Sequence, residues 1–260
     1  MIMIQTRRTD EKFLALFSVS HPFSEHLTKR EDDQLRDKYD HNAFFYQGQP
    51  SEQEVRRALA YQKARGDGFL KLEGYAPLEK DFGLEREETL TMVLPNEVDP
   101  SAWKSAPNVT VGPPDPAQLE QNELRYYGPL YGEDFTVRNL CRLRQKLTYH
   151  GAYLDGRLAG SCYTYSYGGF TCMDGLLVDS EFRCRYVATT LLKAMALQTR
   201  REGNTLYLHA DPEDTPKDLY ARMGFETVDR VYEYLCTDLS RLSLGEEQKP
   251  SYTEHDGSSI

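Results

Sequence analysis

The residues Val178-Asp-Ser-Glu-Phe-Arg-Cys-Arg-Tyr-Val-Ala-Thr-Thr-Leu-Leu192 read as a strand end, a tight basic turn and the start of an apolar helix. The first N–H groups of a helix have no partner within it, and they carry the positive end of its dipole. With Arg183 and Arg185 beside them, they form a ready site for a phosphorylated ligand. Downstream, Val187 to Arg201 keeps helical periodicity, with Leu191, Leu192, Met195 and Leu197 on a broad apolar stripe and Gly203 closing it.

The elements around this turn alternate. Upstream, Thr148–Leu154 and Arg157 to Tyr165 flank Asp155-Gly156, a type I′ hairpin turn because both positions tolerate positive φ. Phe170 to Val178 is a third strand after the break at Gly168-Gly169. Downstream come a strand over Thr205–Ala210, a short helix from Pro216 to Met223, and a last strand from Thr227 to Leu235. Two helices are expected before the hairpin, over Ala117–Tyr126 and Glu133–Leu143.

This order resembles the GNAT superfamily of N-acetyltransferases over roughly residues 107 to 240. The family signature is Arg or Gln, two residues, Gly, one residue, then Gly or Ala, and it aligns on Arg183-Cys-Arg-Tyr-Val-Ala188. A tyrosine four residues before Gly-Phe, a second family feature, matches Tyr220-Ala-Arg-Met-Gly224-Phe225. The resemblance implies an α/β fold with a mixed, mostly antiparallel sheet flanked by helices. It also implies acetyl-CoA as the cofactor, with no metal, and direct attack by an amine within a ternary complex. Leu177, Val178, Arg183, Cys184, Arg185, Tyr186, Val187, Ala188 and Thr189 would hold acetyl-CoA, with a main-chain N–H near Leu177 or Val178 polarising the thioester carbonyl. Tyr220 would protonate the leaving thiolate, and Asp174 stands where family members often place a carboxylate.

Tyr186 replaces the first glycine of the family loop. Two readings follow: a loop that keeps ordinary φ and still donates N–H bonds, or a degenerate loop that binds no cofactor. A left-handed tyrosine would cost about 1–2 kcal/mol. The alternative to an enzyme is a noncatalytic acyl-CoA sensor or an interaction module that kept the fold.

Other polar residues carry weaker signals. Glu133 and Asp134 could face substrate, although a solvated surface role serves as well. His150 and His209 read as structural histidines, the trio Asp37, Asp40 and His41 lacks the partners of a metal site, and Cys184 lies next to two arginines at a helix start.

In the amino-terminal half, Glu52 to Arg65 is an expected helix with Ser51 as N-cap and Val55, Ala58, Leu59 and Gln62 on one face. Strands are expected over Phe69–Glu73 and Glu88–Leu94. Phe82-Gly83-Leu84-Glu85 and its strand to Leu94 echo Met223-Gly224-Phe225-Glu226 and its strand to Leu235, with both Gly-to-Leu spacings equal to 11 residues. This suggests a degenerate GNAT-like half that lacks the phosphate loop, the other explanation being chance similarity. Pro95, Pro100, Pro107, Pro113, Pro114 and Pro116 thin out regular structure between the halves. The expected division is 1–106, 107–244 for the acetyltransferase domain, and a polar, disordered tail over 245–260.

Composition sets outer bounds. With 260 residues, 39% hydrophobic and 28% charged, the chain is that of an ordinary soluble protein, and no apolar run approaches the roughly 18 residues of a membrane span. The net charge of -10 disfavours nucleic acid and suits a cationic substrate, a small-molecule or peptide amine. Five scattered cysteines, together with a start that lacks a signal-peptide apolar core, point to a cytoplasmic protein with reduced thiols.

Overall fold

The computed structural model describes residues 1–214 and 216–242. Helix α1 (Ile2–Leu14) precedes strands β1 (Val19–Pro22), β2 (Leu27–Glu31) and β3 (Phe44–Tyr46). Helix α2 (Glu52–Arg65) and strands β4 (Leu70–Gly74), β5 (Glu85–Val93) and β6 (Val109–Gly112) follow. Then come α3 (Pro116–Tyr131), α4 (Glu133–Lys146), β7 (Thr148–Leu154), β8 (Arg157–Tyr167) and β9 (Phe170–Val178). The last elements are α5 (Val187–Arg201), β10 (Thr205–Ala210), α6 (Pro216–Arg222) and β11 (Glu226–Cys236).

The strands form one sheet in the order β1-β2-β3-β4-β11-β5-β10-β9-β8-β7-β6. Its pairs are antiparallel except β3 with β4 and β9 with β10, so the sheet is mixed and mostly antiparallel, flanked by helices, as expected. Both parallel pairs have the same construction, a strand, a helix and a second strand. The order β3-β4-β11 followed by β5-β10-β9 reads the same from either end, with the symmetry lying between β11 and β5.

Each half donates its last strand to the other. Strand β5 lies between β10 and β11, and β11 lies between β4 and β5. Glu85 pairs with Leu235, and Val93 pairs with Glu226, so the two echoing segments of sequence are antiparallel neighbours. The cores follow this exchange. Leu90, Met92 and Leu94 pack with Leu191, Leu206 and Phe225, and Tyr234, Leu239 and Leu242 pack with Val55, Leu59 and Leu72.

Local chemistry fixes the helix ends. Ser51 caps α2, its hydroxyl accepting from the Glu54 N–H at 3.3 Å while the Glu54 carboxylate accepts from the Ser51 N–H at 2.8 Å. Helix α5 buries Val187, Leu191, Leu192, Met195 and Ala196, with Leu197 half-buried beside them. Full burial is worth roughly 1.5–3 kcal/mol for each larger aliphatic side chain. The hairpin turn has φ +53 at Asp155 and +77 at Gly156, the type I′ geometry expected.

Helix α1, not anticipated from the sequence, lies against β8, β9 and β11. Its Asp10 accepts from the hydroxyls of Tyr165 (2.9 Å) and Tyr207 (2.6 Å). Arg7 pairs with both oxygens of Asp229 at 2.6 and 2.8 Å. Polar anchors and the stacking of Phe13 on Tyr165, with ring centroids 4.3 Å apart, hold this helix rather than an apolar stripe, and hydrophobic periodicity therefore misses it. The expected tail over 245–260 lies outside the described residues.

Candidate functional site

Strands β9 and β10 stay in register up to Met173 opposite Leu208 and then part. Strand β8 follows β9 onward to Val178, but with a slip in which Gly175 and Leu176 together oppose Cys162. This is a β-bulge, which breaks the ladder and turns the strand away from β10. Gly175 sits at φ +61, and a Cβ there would lie 2.5 Å from the Tyr163 ring, so glycine is required. Asp174 holds the bulge: one carboxylate oxygen accepts from the Tyr163 hydroxyl at 2.8 Å and the other from the Gly175 N–H at 2.7 Å.

The parting opens a cavity of about 440 Å3 lined by Met173, Asp174, Gly175, Leu208, His209 and Tyr220, among others. It begins at Asp174, four residues before the strand end at Val178 near which the sequence reading placed it, because the bulge at Gly175 comes first. Leu177 and Val178 are still paired with β8, and Leu177 is buried.

The basic turn is anchored by the buried Phe182, followed by two residues in left-handed geometry, Cys184 and Tyr186, each at φ +59. Ordinary φ at Tyr186 was one expectation, and the structure corrects it. Tyr186 is the N-cap of α5, at ψ 18, and adopts the conformation that glycine would supply. The residue is 51% exposed. Its carbonyl accepts from the hydroxyls of Thr190 at 2.7 Å and Thr189 at 3.0 Å. Among the described residues no side chain caps α5, so the amides of Val187, Ala188 and Thr189 head a helix whose N-terminal end carries no side-chain cap there. Arg183 and Arg185 are exposed, resting near the rings of Tyr126 and Phe182 at 6.0 and 5.9 Å. Among the described residues neither has an ion-pair partner.

The matching place in the other half is filled by the chain itself. At the start of α2, the Glu54 carboxylate accepts from the Ser24 hydroxyl (2.6 Å), the His26 N–H (3.0 Å) and Ser51. Strands β3 and β4 are likewise closed by the Tyr46 ring, which lies where a Cβ on Gly74 would be 2.5 Å away. One half thus holds an internal anion where the other presents open donors.

Tyr220 on α6 is 7% exposed, and burial pushes its phenol up to about 12, so it keeps its proton. A second cavity of about 690 Å3 meets the first at Tyr127, Asp174 and Gly175. Six carboxylates (Asp37, Asp40, Glu87, Glu123, Asp174 and Glu233) line it with two lysines, Lys38 and Lys71. Lys71 binds Asp40 and Glu233, both at 2.5 Å.

Glu123 was missed in the sequence. It is half-buried in this cavity, and among the described residues no hydrogen bond or ion pair engages it. Burial alone lifts its carboxyl to about 7. The one legible signal is its place one turn before Tyr127 on α3.

The remaining sequence candidates lie elsewhere or are engaged. Glu133 and Asp134 are exposed, with Asp134 on Arg138 at 2.8 Å. His150 is buried against the Thr164 hydroxyl at 3.0 Å, and His209 contacts Asp10 at 3.2 Å. Asp40 is held by Lys71, and His41 by Asp32 at 3.0 Å. Cys184 is exposed on the basic turn.

Residues 117–225 match the model of the acetyltransferase (GNAT) family. This region of the chain is a GNAT domain. The chain is similar to a functionally unknown conserved protein from Staphylococcus epidermidis, with a TM-score of 0.72, 14% identity, and coverage of 87% of this chain and 97% of that one. A GCN5-related N-acetyltransferase from Kribbella flavida matches with a TM-score of 0.59 and 15% identity over 87% of this chain and 92% of that one. A tandem GNAT protein from the clavulanic acid biosynthesis pathway matches with 0.52 and 17% over 81% and 78%. These likenesses show a shared fold that extends beyond the GNAT domain into the amino-terminal half. No curated protein sequence matches the chain significantly. Among the described residues, no helix is long and apolar enough to cross a membrane.

Proposed function

We propose that the protein is an N-acetyltransferase that uses acetyl-CoA to acetylate a primary amine of a small molecule or peptide by direct attack in a ternary complex. The observation that carries this reading is a basic turn in left-handed geometry at the start of α5, together with an opening between β9 and β10 that Leu192 of the same helix lines. The residues present fit the cofactor: the amides at the start of α5 and two arginines without an ion-pair partner among the described residues suit a diphosphate, and the bulged strand edge suits an extended arm. Arg183, Cys184, Arg185, Tyr186, Val187, Ala188 and Thr189 would hold the diphosphate, with Leu177 and Val178 along the arm.

Acetyl-CoA supplies the activated acyl group as a thioester. Tyr220, kept protonated by burial, is suited to give a proton to the leaving sulfur. Asp174 fixes the bulge and with it the direction of the amides beside the reacting carbonyl. The carboxylate-lined second cavity would receive the amine, whose positive charge the net charge of -10 attracts. In this reading residues 1–106 are a degenerate half and 107–244 the transferase domain, the two joined by exchanged strands. The five cysteines form no disulfide, which supports a cytoplasmic setting.

The test is thiol release from acetyl-CoA across a panel of amines, with binding followed by calorimetry. Turnover with at least one amine is expected. Binding without turnover would favour a sensor, and absence of binding would leave an interaction module.

A further inference from the structure

At neutral pH an alkylamine is an ammonium ion, with fewer than about one molecule in a thousand neutral, because its pKa is about 10.4. A group lining the larger cavity can take that proton, provided it is free to do so. Asp174 has both oxygens engaged, and Asp40 and Glu233 are bound to Lys71. Glu87 and Asp37 are exposed at the rim. His41 and His209 are tied to Asp32 and Asp10.

Glu123 remains. It is half-buried, without a partner among the described residues, one helical turn before Tyr127, a residue that lines both cavities. We propose that Glu123 is the general base of the reaction, and that the acceptor is an alkylamine which enters the larger cavity as its ammonium ion.

This assignment rests on the acetyltransferase reading. The ammonium N–H bond breaks and its proton moves to the Glu123 carboxylate. The freed nitrogen pair forms the C–N bond as the C–S bond breaks, the departing sulfur takes the proton of the Tyr220 hydroxyl, and the second proton that nitrogen loses restores Tyr220. Glu123 returns its proton to solvent when the amide leaves, so each turnover releases one proton.

The charged and titratable groups facing Glu123 fit the role. Tyr127 on its own helix and Tyr149 on β7 are phenols whose burial keeps them neutral, and Asp174 on β9 is held by Tyr163. Among the described residues no cation pairs with Glu123, and burial raises its carboxyl to about 7, where a base can both take and return a proton.

The experiment is Glu123→Gln in the full chain, with two acceptors and one titration. For an alkylamine, kcat/KM should fall about 10²–10⁴-fold. For O-methylhydroxylamine, already neutral at pH 7, it should change by less than about threefold, and the calorimetric Kd for acetyl-CoA should stay unchanged. In wild type, NMR of ¹³C-labelled glutamate should show one carboxyl titrating near 7 that is absent from the variant. Glu123→Asp, which keeps the carboxylate, should retain part of the activity and guards against misfolding of the glutamine variant. Wild-type turnover of alkylamines by Glu123→Gln would overturn the assignment, as would equal loss on both acceptors. A wild-type protein inactive on every amine would instead sink the underlying acetyltransferase reading.

Discussion

Replacing Tyr186 with glycine tests whether the basic turn is held in a glycine-like shape by a residue that strains to adopt it. Tyr186 has φ +59, a geometry that costs an L-residue about 1–2 kcal/mol and costs glycine almost nothing. Against this, glycine gives the unfolded chain more freedom, a loss of about 0.5–1 kcal/mol. Tyr186 is 51% exposed, so little packing is lost with its ring. The net expectation for Tyr186→Gly is between no change and about 1 kcal/mol of added stability, at most a rise of about 2–4 °C in Tm. Because the turn already has its ligand-ready shape, the Kd for acetyl-CoA should be equal or up to about fivefold tighter, about 1 kcal/mol. Tyr186→Val is the control, since a β-branched residue is least tolerant of positive φ and should lower Tm. Thermal unfolding and calorimetry read both. A Tyr186→Gly protein more than about 1 kcal/mol less stable, or binding acetyl-CoA tenfold more weakly, would refute the reasoning and make the ring itself part of the grip.

Separating the chain into residues 1–106 and 107–260 should leave two fragments that do not fold alone, since each lacks the strand it receives from the other. Co-expression should restore one complex, whereas a cooperative melt of 107–260 alone would contradict the exchange. Tyr220→Phe should bind acetyl-CoA within twofold of wild type while kcat falls roughly 10²-fold or more. An unchanged kcat would remove Tyr220 as the proton donor.

What the sequence made legible was local. The α5 stripe, the Ser51 cap with Glu54, and the Asp155-Gly156 turn each specify their element through neighbours a few residues away, and the bounds of α2, β9, α5 and β10 were read as they stand. The equal spacings after Gly83 and Gly224 were legible too, but not that the two strands pair with each other. That contact joins residues some 140 positions apart, and local pattern carries no record of it. Strand β3 escaped because three residues, Phe44-Phe-Tyr46, are too few to show alternation. Glu123 escaped for a different reason. Its chemistry comes from what surrounds it, and one glutamate on a polar helix looks like any solvated side chain until the fold buries it. The conformation of Tyr186 was misjudged because intrinsic preference argues against positive φ, whereas the path from Phe182 into α5 requires it.

The most direct measurement is a crystal structure of the protein grown with coenzyme A. The diphosphate is predicted to lie about 3 Å from main-chain amides within residues 183–189, with its arm entering between β9 and β10 toward Tyr220. Coenzyme bound elsewhere, or no coenzyme at millimolar concentration with the start of α5 unfilled, would contradict the account.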